Sequence, residues 1–326
     1  MSDSKPKVAF YWCASCGGCE EAVVDLNATL LHVAASVDIV LWPVAMDFKY
    51  RDVEALAEGD LTVAFINGAI RTDEQAHIAR LLRRKAVMVV AFGSCAHTGG
   101  IPGLANLTTK QKIFQTSYLN SPTVVNPEGT VPKVTTVVDG VKATLPGFWE
   151  QVHTLDQLID VDYYLPGCPP MPDNIASAMT AILKNDLPVK GSVLGSKKAL
   201  CDTCTRKKPE KAVLHKRFYQ PHEIEADPEI CFLAQGIVCC GPATRSGCGE
   251  KCLNGNMPCT GCFGPLDNIV DQGAAMVSAV AAYLDGQTVA ELDAAVASVP
   301  DAAGTFYRYG VPASLLFRAN TKEVGK

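Results

Sequence analysis

No apolar run in this sequence is long enough to span a bilayer, which argues against direct membrane insertion. Positive charge is not in excess either. Twenty-nine Lys and Arg stand against 34 Asp and Glu, a net charge of −5, so bulk electrostatics gives no case for nucleic acid. The stretch from Met1 to Lys7 is short and polar, with no twin-arginine pair and no apolar signal region. The expected compartment is therefore the cytoplasm.

What the sequence does have is cysteine. Fourteen occur in 326 residues, of which 48% are apolar, enough for a sizeable core in one large or two moderate domains. In a reducing compartment, clustered cysteines indicate metal or redox chemistry rather than a disulfide framework. Buried thiols acting as small apolar residues would not explain CxxC pairs flanked by Gly and Pro.

The first half alternates strands and helices. Lys7–Trp12, Val37–Trp42, Leu61–Asn67, Ala86–Phe92 and Val161–Leu165 read as apolar strands. Helical pattern runs from Cys19 to Leu31 and over Asp73–Lys85, with Ile78, Leu81 and Leu82 on one face. A further helix runs from Asp173, read as its N-cap, to Lys184. Continuous apolar strands between helices predict a parallel sheet covered on both faces. Thr98–Gly147 interrupts the rhythm as an insertion, with a hairpin expected at Asp139-Gly140. Leu187–Lys198 reads as a linker. Cys201–Pro265 has little periodicity and nine cysteines, so metal centres could supply the cross-links it lacks. Helix returns over Leu266–Leu284 and Thr288–Val299.

Cys16 and Cys19 follow the first strand, Cys95 the fourth and Cys168 the fifth. In an open parallel sheet the carboxyl ends of the strands share one edge, where ligands bind. Four thiolates distant in sequence are thus expected to converge there, the usual ligand set of a cubane cluster. A thioredoxin-like dithiol leaves Cys95 and Cys168 unexplained. Zinc would accept four thiolates but leaves the later cysteines without a role. Cys13 directly follows the strand and is read as a non-ligand. Cys201, Cys204, Cys231, the vicinal pair Cys239/Cys240, Cys248, Cys252, Cys259 and Cys262 supply eight further thiolates and one spare. His215 and His222 are read as solvated or hydrogen-bonded. The basic run Arg206–Lys211 is a solvated face or a docking patch for an acidic redox partner.

Together these motifs resemble the NiFe-hydrogenase small subunit: Cys16-x-x-Cys19-Glu20, Gly93-Ser94-Cys95 and Pro166-Gly167-Cys168-Pro169-Pro170 in order, then the cysteine-rich second half. The resemblance implies an α/β fold. A flavodoxin-like parallel sheet domain spans 1–190, and a smaller irregular or helical iron–sulfur cluster-binding domain spans 191–326. It implies three 4Fe–4S clusters: proximal on Cys16, Cys19, Cys95 and Cys168; medial on Cys248, Cys252, Cys259 and Cys262; distal on Cys201, Cys204, Cys231 and Cys239. Many exported members have histidine where Cys201 stands, three-iron medial clusters accompany proline where Cys252 stands, and oxygen-tolerant members have cysteine where Gly18 stands.

The resemblance further implies a NiFe large subunit as partner, since this chain has no matching pair of CxxC ligands for that metal site and should be inactive alone. The missing export signal and the 235–245 segment are most similar to cytoplasmic, methyl-viologen-reducing members. Those imply a downstream acceptor, a 2Fe–2S or flavin protein linked to heterodisulfide reductase. Glu20 and Glu21 read as first-turn carboxylates favoured by the helix dipole, with a role at the interface or in a proton route as the alternative, and Trp12 and His97 as residues that pack against the large subunit. Two other classes remain: a quinone-reductase-type cluster subunit, whose first motif has adjacent cysteines, and a stand-alone ferredoxin-like carrier, which needs far less protein.

Overall fold

The computed structural model describes residues 5–317; Met1–Ser4, part of the polar start, lie outside the described residues. In chain order the first region comprises β1 (Lys7–Trp12), α1 (Gly18–Val24), α2 (Ala28–Ser36), β2 (Asp38–Leu41), α3 (Tyr50–Glu54), β3 (Leu61–Asn67), β4 (Ile70–Thr72), α4 (Asp73–Lys85), β5 (Ala86–Phe92) and α5 (Ser94–Thr98). After α6 (Lys110–Phe114) come β6 (Thr135–Val138), β7 (Val141–Thr144), β8 (Phe148–His153), β9 (Tyr163–Leu165) and α7 (Pro172–Lys184).

The main sheet has strand order β2-β1-β3-β5-β9, every pairing parallel. Counted along the chain this is 2-1-3-4-5, the flavodoxin-like doubly wound order. Side chains alternate between two buried layers, as the pleat requires. Val8, Phe10, Val63, Phe65, Val90 and Phe92 pack toward α1 and α7. Ala9, Tyr11, Ala64, Ile66, Val89 and Ala91 pack toward α4, meeting Ile78, Leu81 and Leu82. Apolar burial on both faces, at about 25 cal/mol per Å², explains why these strands have no polar side.

The expected α4 forms over its predicted span. Thr72 caps it by accepting from the Gln75 amide, and Gln75 accepts from the Thr72 amide in return. The helix read as continuous from Cys19 to Leu31 is instead two, because Asn27 adopts φ +52° between α1 and α2. Asp173 is not a cap: Pro172 takes the first helical position and Met171 caps. The β2 and β9 strands are shorter than expected. The Asp139-Gly140 turn joins β6 to β7 with both residues at positive φ. The 187–198 segment is not loose: Tyr164 and Leu194 are joined by a backbone hydrogen bond of 2.7 Å beyond β9, and the Gly191 amide donates to Asp162 O.

The second region has its own core, centred on Phe218, Phe232, Leu233, Ile237 and Met276. Its helices are α8 (Leu200–Thr203), α9 (Lys251–Asn254), α10 (Gln272–Ala281), α11 (Val289–Ala297) and α12 (Ala302–Phe306). The tail helices are shorter than predicted, since Asp271 caps α10 through the Ala274 amide and Thr288 caps α11. The final segment returns to the sheet domain, where Tyr309 O accepts from Thr98 Oγ1 at 2.6 Å and from the Gly100 amide at 3.0 Å.

Candidate metal centres

All fourteen cysteines have free thiols. Cys16 and Cys19 flank Gly17, whose φ of +89° turns the chain from β1 into α1. Cys95 lies in the first turn of α5, just after β5, and Cys168 follows β9. The β5 and β9 loops are zipped together by Gly93 N to Leu165 O at 2.8 Å and Ser94 N to Gly167 O at 2.7 Å. The four thiols meet at the carboxyl edge of the sheet. Burial pushes Cys19 up, and the charges of Cys95, Cys168 and Cys16 add to it. Cys95 is pushed up to about 12 by burial and then by Cys168 and Cys16. Glycine is required here: a Cβ on Gly93 would lie 2.5 Å from Cys19 Sγ.

Cys248, Cys252, Cys259 and Cys262 line one cavity of ≈ 350 Å³, and Cys168 of the first set borders the same cavity. Burial pushes Cys262 up to about 12, with Cys168, Cys248 and Cys252 contributing. Cys201, Cys204, Cys231 and Cys239 line a separate pocket floored by Leu200, Phe232 and Leu253. Cys201 is pushed up to about 12 by burial and by Cys239, with Lys208 opposing. Gly241 leaves this pocket open, since a Cβ there would lie 3.1 Å from Cys201 Sγ. Beside it the buried Arg206 lies over Phe232 and donates to the carbonyls of Asp227, Ile230 and Leu253.

The 248–262 set borders both others. Ser94 Oγ, next to Cys95, donates to Cys262 O. The Cys259 amide donates to Cys239 Sγ at 3.3 Å. The spatial sequence is therefore strand-edge set, 248–262 set, 201–239 set.

These donors fit iron–sulfur clusters. Among the described residues, no three His, Cys, Asp or Glu side chains are grouped closely enough to hold a single metal ion. The thiols instead stand around spaces where glycines withhold a Cβ. Thiols that burial keeps protonated need a compensating cation to ionise, and soft sulfur donors select iron–sulfur or similar centres.

The remaining predicted residues fall outside these sets. Cys13 packs in the α4-side core, away from Cys19 on the opposite sheet face. Cys240 is buried beside Cys239 in the second core. His215 Nε2 pairs with Leu233 O at 2.9 Å, and His222 is exposed. His97 packs against Tyr164, ring centroids 4.7 Å apart, and Trp12 covers Gly17. Glu20 stands in the first turn of α1, as expected, and is also buried, accepting from Trp42 Nε1 and from Asn67 Nδ2 at 2.6 Å; burial raises its pKa despite those bonds. Glu21 is exposed. Sequence reasoning also missed Arg245, 1% exposed, which bridges Ser196 O, Pro265 O and Asp267. A lone Arg in a cysteine-rich loop carries no signal of burial.

A family model described as "NADH ubiquinone oxidoreductase, 20 Kd subunit" matches residues 16–182. The chain is 36% identical to the iron-sulfur subunit of the F420-non-reducing hydrogenase of Archaeoglobus profundus, over 95% of this chain and 97% of that one. It is 35% identical to a subunit of the F420-non-reducing hydrogenase of Methanothermobacter marburgensis, over 96% of each. The fold is similar to a chain of the [NiFeSe] hydrogenase of Desulfovibrio vulgaris Hildenborough, at TM-score 0.51 and 15% identity, over 82% of this chain and 96% of that one. By near full-length similarity and by the match across its sheet domain, this chain belongs to the NADH ubiquinone oxidoreductase 20 Kd subunit family, within its branch of NiFe-hydrogenase small subunits.

Proposed function

We propose that this chain is the electron-transfer small subunit of a cytoplasmic NiFe hydrogenase and holds three 4Fe–4S clusters. The proximal set is Cys16, Cys19, Cys95 and Cys168, the medial set Cys248, Cys252, Cys259 and Cys262, and the distal set Cys201, Cys204, Cys231 and Cys239. The two-domain division at residue 190/191 belongs to the same reading. One observation carries it: three separate four-thiol sets lie in a row, with the 248–262 set touching each neighbour. When bound, the clusters would supply one-electron carriers between a hydrogen-splitting metal site on a large partner and an acceptor.

The residues of this chain do the rest. The sheet edge and its glycines fix four sulfurs against one another. Backbone amides aimed at sulfur, such as Cys259 N to Cys239 Sγ and Gly261 N to Cys259 Sγ at 3.4 Å, stabilise the thiolate and tune whatever it holds. Leu200, Phe232 and Leu253 give the distal pocket apolar walls. Among the described residues, no helix is long and apolar enough to cross a membrane.

The family match to a quinone-reductase subunit covers only the sheet domain, whereas similarity to hydrogenase subunits covers both cysteine-rich parts. That favours the hydrogenase reading and a downstream protein acceptor, of the 2Fe–2S or flavin type linked to heterodisulfide reductase. Anaerobic purification of the native complex tests it. A larger, nickel-containing partner that reduces viologen dye with hydrogen is expected; a nickel-free, lone chain would contradict it.

A further inference from the structure

Residues 197–217 carry eight Lys and Arg against Asp202 and Glu210, a local charge of +6 in a chain whose net charge is −5. This basic stretch contains two of the distal thiols, Cys201 and Cys204. Within it, Lys207–Leu214 forms neither helix nor strand, and all eight residues are exposed. The loop is tied to the thiol pocket at two points, the first being Lys207 O, which accepts from the Cys231 amide at 2.9 Å. Lys208 Nζ donates to Cys201 O, and Lys208 itself lines the pocket.

The loop's charge is not consumed within the chain. Lys207 pairs with Glu229, and farther along Arg217 pairs with Glu223. Lys208 and Lys211 form no ion pair among the described residues. Apolar side chains stand exposed in the same loop: Val213 at 42% and Leu214 at 54%. Exposed apolar residues within a basic rim, above a partly exposed redox site, make a surface suited to brief docking of an acidic protein.

We infer that the 207–214 loop is the docking surface for an acidic electron-carrier protein, which exchanges electrons at the Cys201/Cys204/Cys231/Cys239 site. This deepens the hydrogenase reading and rests on it. A solvated surface loop with no partner is the competing account, and it makes a different prediction about salt. Steering between opposite charges raises encounter rates and fades as ionic strength rises, whereas a small dye that needs no docking is indifferent to the loop.

The test uses the assembled complex with hydrogen as donor and three acceptors: an acidic [2Fe–2S] ferredoxin, a basic c-type cytochrome and methyl viologen. Ferredoxin reduction should fall by about tenfold between low salt and about 0.5 M salt. The variant Lys211→Glu should lower ferredoxin reduction at low salt several-fold and raise cytochrome reduction. Viologen reduction should stay unchanged. Ferredoxin reduction indifferent to both salt and variant, with viologen reduction intact, would overturn the docking proposal alone. Failure of the unaltered complex to reduce viologen with hydrogen would overturn the hydrogenase reading and the docking proposal with it.

Discussion

Cys16, Cys19, Cys95 and Cys168 hang from the ends of parallel strands already bound to one another, over a core closed on both faces. Among the described residues between Cys201 and Pro265 there is no β-ladder, and no helix exceeds four residues. The thiols there are held by isolated bridges such as Lys207 with Ile230, by the Arg206 clamp and by a small core that includes the cysteines themselves. The first site is built by the fold; the second and third help to build it. Ligand-binding free energy then serves as folding free energy in one region far more than in the other.

Removing iron should break this contrast open. After anaerobic chelation, limited proteolysis should cut within 201–265 while the sheet domain resists, with mass spectrometry locating the cuts. Equal resistance of both regions would refute the difference.

Single ligands sharpen it. Cys168→Ser should lower hydrogen-driven dye reduction by at least about tenfold yet leave the sheet's thermal midpoint little changed. Cys204→Ser should instead make the 201–265 segment protease-sensitive. Comparable loss of protease resistance in both variants would count against the division.

Smaller effects are expected from the frame of the first site. Gly93→Ala places a Cβ against Cys19 Sγ at a φ of +85°, which should cost about 1–3 kcal/mol and weaken that site without affecting the distal one. Denaturant unfolding and EPR of the variant would check both.

A pH-dependent effect concerns the sheet alone. Burial raises the Asp162 carboxyl, but Lys190, Arg83 and the Val89 amide outweigh it and hold it below the usual carboxylate range. A depressed pKa gives stability that is present above the unfolded-state value and is lost as pH falls through the folded one. Asp162→Asn should therefore destabilise the sheet domain by about 2 kcal/mol at neutral pH, and the difference should vanish in acid. A variant as stable as the parent at pH 7 would show that this carboxylate contributes nothing.

The same contrast governs what the sequence revealed. Strands such as Leu61–Asn67 and Ala86–Phe92 were legible because burial on two faces leaves an unbroken apolar run. The strand-edge thiols were legible because chain order fixes where those strands end. The break at Asn27 was hidden, since one residue at φ +52° and ψ −125° leaves no trace in the apolar periodicity. The spacing of the later cysteines suggested two sets but not which set lies between the others. That order comes from Ser94 with Cys262 and Cys259 with Cys239, contacts that join residues as many as 168 positions apart. The burial of Glu20 was not legible because its partners, Trp42 and Asn67, come from other strand ends.

Everything turns on three distinct iron-holding sites in one chain. Iron and acid-labile sulfide, counted on this subunit from the anaerobic complex, measure that directly. About twelve of each per chain are expected from three cubanes with four thiolates apiece. An iron-free subunit, or cysteines isolated as disulfides under the same conditions, would contradict it.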